Sequence, residues 1–312
     1  MAKQAPRPIH GRVVALTGGA RGIGRATARA LAAAGARVAI GDLDSELARR
    51  TAAEIGGDCF AAHLDVTDRD SFARFLEAAE DRLGAVDVLV NNAGIMPLGP
   101  FHEESDETAI RQVDINLHGV ITGTKLALHR MRPRGAGHVV NLASYAGKVA
   151  PPGGATYIAC KHAVVGLTAS VAYETRDDGI DCTVVMPGVV NTELAAGLPQ
   201  SRGVKWVEPE DVADAIVEAI RRPRLEVYVP RELGPLWRVG VLLPRRAQEW
   251  LARATKGDRI LADADFSRRS AYESRAARSE PSLSPDADAA GDVQRPPDSA
   301  GAPAPAGVET SA

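Results

Sequence analysis

An α/β fold built on a doubly wound, Rossmann-type parallel sheet is predicted for this 312-residue chain by three observations. Short apolar runs alternate with longer stretches of helical period between residues 12 and 229, the signature of βαβ units. Several runs, 86–90 and 183–186 among them, are almost wholly apolar or β-branched, with Asp87 the exception, as expected for strands covered on both faces. A glycine-rich turn containing Gly18, Gly22 and Gly24 falls between the first run and the first helical stretch, where such sheets bind phosphorylated ligands.

The elements follow in order. Strands are predicted at 12–17, 37–41, 59–63, 87–91, 138–142, 181–186 and 226–229, about seven parallel strands. Helices are predicted at 22–34, 45–55, 68–83, 105 to about 131, 155–178 and 208–222, flanking the sheet on both sides. Thr67 with Asp70, and Pro209, read as helix starts; Gly35, Gly84 and Gly179 read as stops. After Pro230 the pattern changes: residues 231–278 show no strand, and Pro235 and Pro244 divide them into short helical pieces. Residues 279–312 carry six prolines and six acidic residues with almost no large apolar group. They cannot bury enough surface to offset ordering entropy and read as disordered. The expected organisation is a tail over 1–10, an α/β domain over 11–230, a helical extension over 231–278 and the acidic tail.

Bulk properties narrow the function. Hydrophobic content of 45% and charged content of 25% suit a packed core. A net charge of −3 without a basic stripe argues against nucleic-acid binding. Cys59, Cys160 and Cys182 are too few and scattered for a disulfide framework or zinc site. The first ten residues lack a signal-like apolar stretch, and no segment has the length of a membrane span. A cytoplasmic protein is expected, and no metal.

The chemistry centres on Tyr157 and Lys161, four residues apart and so on one helix face, with Ser144 thirteen residues earlier. A nearby ammonium favours phenolate over phenol, which lets a tyrosine exchange protons near neutral pH. Glycines at 18, 22 and 24 let the backbone turn tightly and approach a pyrophosphate at a helix N-terminus. Asp42 ends the second strand, where a carboxylate can bind both adenosine ribose hydroxyls and repel a 2′-phosphate. That favours NAD(H). Arg21 argues the other way, for NADP(H), and Asp42 has a second reading as a cap for the helix near residue 45.

These residues resemble the short-chain dehydrogenase/reductases of the typical, non-extended type, over about residues 11–229. What the resemblance implies is as follows. Thr17, Gly18, Gly22, Ile23 and Gly24, with Arg21, form the coenzyme loop. Asp65 and Val66 hold the adenine. Asn92, Ala93 and Gly94, in the run Asn91–Gly94, line the cofactor cleft. Pro187, Gly188, Val190 and Thr192 receive the nicotinamide carboxamide. Asn116, Ser144, Tyr157 and Lys161 make a catalytic tetrad, in which Tyr157 is acid or base and Lys161 lowers its pKa and binds the ribose. Ser144 steadies the developing oxyanion, and Asn116 holds a water that relays protons. Two departures stand out: Ala143 precedes Ser144 where the family often has a second serine, and the chain beyond Pro230 is longer than in typical members.

The substrate pocket is expected between Ile95–Leu98, the turn at 149–153 and a mobile segment over 189–204, all mainly apolar. A small hydrophobic secondary alcohol or ketone, of steroid, terpenoid or lipid type, is the expected substrate. Residues 231–256 set six basic side chains beside Trp237, Trp250 and several leucines. They read either as an extension packed on the domain or a second subunit, or as a peripheral membrane contact. The family resemblance implies a homodimer or homotetramer. Cys160 and the scattered histidines read as packing or surface groups. Two other functions stay open: a catalytically silent dinucleotide-binding scaffold, and an isomerase or dehydratase on the same sheet.

Overall fold

The computed structural model describes residues 5–199 and 206–277. The acidic tail expected over 279–312, residues 1–4 and the stretch 200–205 of the expected mobile segment lie outside the described residues. Seven parallel strands form one sheet in the order β3-β2-β1-β4-β5-β6-β7. They are β1 (Val13–Thr17), β2 (Arg37–Asp42), β3 (Cys59–His63), β4 (Val88–Asn91), β5 (Gly137–Leu142), β6 (Ile180–Pro187) and β7 (Glu226–Val229). The predicted strands are all present, with ends moved by a residue or so. The strand order reverses between β1 and β4, the point where open α/β sheets leave a crevice at the strands' carboxyl ends.

Alternation along each strand divides the core into two layers. Val14 and Leu16 face one side with Val38, Ile40, Val88 and Val90. There α1 (Gly22–Ala33), α2 (Ser45–Ile55) and α7 (Pro209–Arg221) cover them. Val13, Ala15 and Leu89 face the other side. That side is covered by α3 (Arg69–Leu83), whose Phe72 and Phe75 rings meet edge to face at 6.5 Å, and by later helices. Both faces of the central strands are buried, which is why those strands are mainly apolar, whereas the edge strand β3 is half-exposed. A polar chain crosses the second layer: Asn91 donates to Asn141 at 2.8 Å, and Asn141 to Thr168 at 2.9 Å.

Four local expectations are corrected. The helix start near Thr67 is capped by Asp68, whose carboxylate accepts the Asp70 N–H. The continuous helix expected over 105–131 is α4 (Asp106–Val113) and α5 (Gly119–Met131), joined through a π turn at Asp114–His118. The wider turn admits an extra residue and seats Gly119 against Val66, where a Cβ would lie 3.1 Å from that side chain. The helix expected to run to 178 ends as α6 (Ala155–Glu174), followed by a 3-10 turn closed by left-handed Gly179. Pro235 does not divide its helix: α8 (Leu233–Gly240) holds it in the first turn, where a backbone N–H has no partner to lose. Beyond α8 come α9 (Arg245–Ala254), capped by Pro244, and α10 (Phe266–Ala277). No described helix is long and apolar enough to cross a membrane.

His138 is wholly buried in β5, its Nε2 2.8 Å from the Thr183 hydroxyl. Burial pushes its pKa down to about 4 from 6.5, against the pull of Asp181 and with help from Arg7 and Arg12. The unfolded chain therefore takes up a proton near pH 6.5 that the folded chain refuses until about 4. Stability is lost as pH falls through that window, by up to about 1.4 kcal/mol per unit. Urea melts at pH 7 and pH 5 should show this slope flattened in His138→Asn; an equal slope in both proteins would contradict the assignment.

Candidate functional site

The crevice at the strand ends opens into a cavity of about 1690 Å³. Gly18, Asp42, Asn92, Ser144, Tyr157 and Lys161 all line it. The turn between β1 and α1 shows why glycine is needed there. Gly18 and Gly22 have φ of +66° and +53°, in the left-handed region. A Cβ on Gly24 would lie 2.0 Å from the Gly18 carbonyl oxygen, and one on Gly18 2.8 Å from Ala93 Cα. The loop is also tied to β4: Thr17 Oγ1 accepts the N–H groups of Asn92 and Ala93, both at 3.0 Å. In return, Asn92 donates to the carbonyls of Thr17 and Gly18 at 2.9 Å. The result is a rigid concave backbone at the N-terminus of α1, the arrangement that suits a pyrophosphate.

Asp42 lies at the end of β2, its carboxylate accepting the N–H groups of Ala20 and Asp44, each at 3.0 Å. The cap of α2 is Asp44, whose Oδ1 accepts the Leu47 N–H, so Asp42 is not the helix cap. Burial raises the Asp42 pKa, while the two amides and Arg21 oppose that rise. Arg21 itself is engaged by Asp44 at 2.6 Å and by Glu193 at 3.7 Å. Asp65 turns its Oδ1 to the N–H and hydroxyl of Thr67 at 2.9 and 2.7 Å, with Val66 beside it on the cavity wall. On the opposite wall Gly188 N–H pairs with the Val229 carbonyl at 2.8 Å. From there Pro187, Val190 and Thr192 continue along the lining. Ile23 is also a lining residue. The donor set and the glycine cradle fit a dinucleotide.

At the centre, Tyr157 and Lys161 project from α6, and Lys161 Nζ lies 5.5 Å from the Tyr157 ring centroid. Only 4% of Lys161 is exposed, and its ammonium donates to the Leu142 carbonyl at 3.1 Å. Asn116, in the π turn, is pinned by two hydrogen bonds to the Ile95 backbone, at 3.1 and 2.9 Å. A Cβ on Gly94 would lie 2.7 Å from Asn116 Oδ1 and 3.6 Å from Lys161 Nζ. Glycine is thus what lets those two side chains converge. Ser144 follows β5, its Oγ accepting the Ala146 N–H at 3.1 Å.

Burial, rather than the ammonium, sets the resting state of the tyrosine. It pushes the Tyr157 phenol up to about 12, partly offset by the Ser144 hydrogen bond. The lowered phenol expected from the spacing is therefore reversed in this structure. The same burial pushes Lys161 down to about 8, which leaves it charged at neutral pH. Cys160 is buried, its thiol pushed up to about 11 and donating to the Gln112 carbonyl, a packing group without thiolate character. Among the described residues no cluster of His, Cys, Asp or Glu could hold a metal ion.

All the candidate residues but Thr17 thus line one cavity, and Thr17 lies behind it, bonded to the Asn92 and Ala93 backbone. Sequence reasoning missed the contribution of the extension. Leu233, Leu236 and Trp237 of α8 and Tyr272 of α10 line the same cavity. A signal was present in α10: Arg269, Tyr272, Glu273 and Ala276 recur at one-face helical spacing. Its arginine and glutamate make the face polar in the sequence, although Arg269 is wholly buried in the fold.

Residues 12–203 match the pattern of the family described as short chain dehydrogenase. Among similar proteins is the 2,5-dichloro-2,5-cyclohexadiene-1,4-diol dehydrogenase LinX of Sphingobium indicum, 38% identical over 61% of this chain and 78% of the relative. Another is the 3beta-hydroxysteroid dehydrogenase 2 of Eggerthella lenta, 37% identical over 63% of this chain and 78% of the relative. The crystal structure of a short chain dehydrogenase/reductase from Burkholderia phymatum in complex with NAD superposes with a TM-score of 0.69. It is 27% identical and covers 74% of this chain and 93% of that one.

The glycine cradle is the most direct local test. Gly24→Ala must push the Gly18 carbonyl aside, and the variant should bind a nicotinamide dinucleotide, NADH or NADPH, more weakly by on the order of 2 kcal/mol, about thirtyfold. Fluorescence titration reads this. Affinity equal to the parent protein would show that the loop does not hold the ligand.

Proposed function

This chain belongs to the short-chain dehydrogenase family of oxidoreductases, and on that premise we propose that it interconverts a hydrophobic secondary alcohol and its ketone, using NAD(H). The observation that carries the reading is the convergence of Tyr157, Lys161, Ser144 and Asn116 at one end of a glycine-cradled cleft. The loop with Thr17, Gly18, Arg21, Gly22, Ile23 and Gly24 would hold the pyrophosphate, and Asp42 the adenosine ribose. Asp65 and Val66 would face the adenine; Asn92, Ala93 and Gly94 would back the cleft. Pro187, Gly188, Val190 and Thr192 would receive the carboxamide. When bound, the oxidised nicotinamide supplies the hydride acceptor and a positive charge.

Each catalytic side chain has one task. Tyr157 takes the carbinol proton in oxidation and returns it in reduction. With its phenol resting near 12, it is poised as the acid, and opposing positive charge must lower it before it can serve as the base. Lys161 supplies part of that charge from within the protein. Ser144 donates to the substrate oxygen, a stabilisation of about 3 kcal/mol in comparable sites. Asn116, fixed on Ile95, offers its remaining hydrogen-bond capacity to a water that carries protons from Lys161 toward solvent.

NAD(H) is favoured over NADP(H) because the Asp42 carboxylate opposes a 2′-phosphate, and Arg21 is already neutralised by Asp44 and Glu193. NADP(H) use is the alternative. The hydrophobic substrate class rests on a wall of Met96, Leu198, Leu236, Trp237 and Leu261. The similar proteins span a ring diol and a steroid by name, and a sorbitol dehydrogenase of Cereibacter sphaeroides is 41% identical over 59% of this chain. Polyols therefore belong in any assay panel. With NAD⁺ and a panel of alcohols, Tyr157→Phe should lower kcat about 10³-fold while NADH still binds. NADH production only from polyols would reject the substrate class. Dinucleotide binding without turnover on any alcohol would favour the scaffold reading.

We read the assembly as a homodimer or homotetramer. Peripheral contact with an anionic membrane is a second reading for α8 and α9, supported by side chains left in solvent: Leu242 is 83% and Trp250 69% exposed. Arg238, Arg245, Arg246 and Arg253 accompany them, a pattern that suits an interfacial helix. The chain should then sediment with vesicles rich in anionic lipid and not with neutral ones, and Leu242→Glu with Trp250→Glu should abolish this. Failure of the parent protein to sediment would dismiss the contact.

A further inference from the structure

Three loops border the cavity mouth, at 95–98 after β4, at 149–153 after β5 and from residue 189 after β6. All three are knit to the chain beyond residue 257. Arg269 of α10 is wholly buried. It donates from Nη2 to the Met96 carbonyl at 2.7 Å, and from Nη1 to the carbonyls of Leu194 and Ala196, both at 2.9 Å. Its Nε is held by Glu273 at 2.9 Å. One guanidinium thus bridges the lip that follows β4 and the lip that follows β6.

The surrounding contacts repeat the pattern. The Tyr272 hydroxyl accepts the Met96 N–H at 2.6 Å, and the Gly197 carbonyl accepts the Asp265 N–H at 2.8 Å. Arg275 pairs with Glu193, which also faces Arg21 in the glycine loop. Two glycines permit the approach. A Cβ on Gly197, at φ +74°, would lie 2.4 Å from the Asp265 carbonyl oxygen. A Cβ on Gly153, at φ +100°, would lie 2.8 Å from the Ala262 nitrogen. Tyr272 and Ala276 pack with Ile95 and Ile115, and Val66 and Leu194 lean on that cluster. These residues come from both walls of the cleft that the glycine loop and Asp42 share.

We propose that α10 is a clasp that closes the two lips of the cleft over the dinucleotide, with Arg269 as its positioning residue, so that the cofactor exchanges only when the clasp opens. The proposal rests on the dinucleotide reading above. Its physical basis is the planar fork of arginine, whose spread donors reach carbonyls on separate loops at once; a lysine carries all its donors on one nitrogen and spans them less well. Loss of the fork leaves buried carbonyls unpaired, which favours the open state. Dissociation of NADH then becomes a measure of how often the lips part.

The test uses the full-length protein and NADH itself. Stopped-flow fluorescence follows NADH displaced by excess NAD⁺ from the parent protein, Arg269→Lys and Tyr272→Phe. Release should be about tenfold faster in Arg269→Lys, the loss of roughly one hydrogen bond, and faster by a smaller factor in Tyr272→Phe. In the parent protein NADH should slow amide hydrogen exchange across 266–277. If Arg269→Lys does not fold, Tyr272→Phe and the exchange measurement decide. Unchanged release from folded variants, or exchange in α10 indifferent to NADH, would overturn the clasp while leaving the dinucleotide reading intact. A lower melting temperature with unchanged release would count against it in the same way, as a merely structural role. No NADH binding by the parent protein would overturn both.

Discussion

A charged lysine with only 4% of its surface in solvent is the constraint on which the site depends. Taking an ammonium out of water is costly unless its protons find partners, and Lys161 has the Leu142 carbonyl at 3.1 Å and the face of Tyr157 nearby. The price is visible in its pKa, which burial pushes down to about 8. Such a cation persists because its surroundings are over-determined. β5 delivers the Leu142 carbonyl, α6 sets lysine and tyrosine four residues apart, and Gly94 keeps a Cβ out of the space between Lys161 and Asn116. The π turn then presents Asn116 to the Ile95 backbone, which fixes the remaining wall.

The sheet makes this arrangement possible at a distance. The reversal of strand order between β1 and β4 opens the crevice, and the parallel register brings Thr17 and Asn91 to neighbouring strand ends. Cross-links between the two loops, from Thr17 and Asn92, make the glycine turn and the cleft wall one rigid body. A phosphate cradle needs that rigidity, because backbone N–H groups act on an anion only where their direction is fixed. The loops after β4, β5 and β6 are built differently, held by one another and by the chain after β7.

The sheet and the Tyr157–Lys161 pair were legible because both are written locally. The central strands are buried on both faces and so are mainly apolar runs, while the half-exposed edge strand β3 was marked by its place between helical stretches; Tyr157 and Lys161 lie one helical turn apart. Other features depend on partners distant in sequence. The π turn has no composition of its own; it is set by tertiary contacts of Gly119 and Asn116 with segments 21 and more residues away. Arg269 carries no signal of its bridging role in the sequence, and only the fold brings carbonyls from 73 to 75 residues upstream to its Nη1. For Tyr157, spacing reveals the neighbouring ammonium but not the burial that pushes its phenol up to about 12.

The proposed partnership of ammonium and phenol is tested most directly by the pH dependence of kcat/KM for alcohol oxidation, compared between the parent protein and Lys161→Met. If the buried ammonium poises Tyr157, the rate should rise through one ionisation far below the resting value of about 12, then level off. In Lys161→Met that ionisation should move upward and the plateau should collapse. The same ionisation and the same plateau in both proteins would contradict the claim.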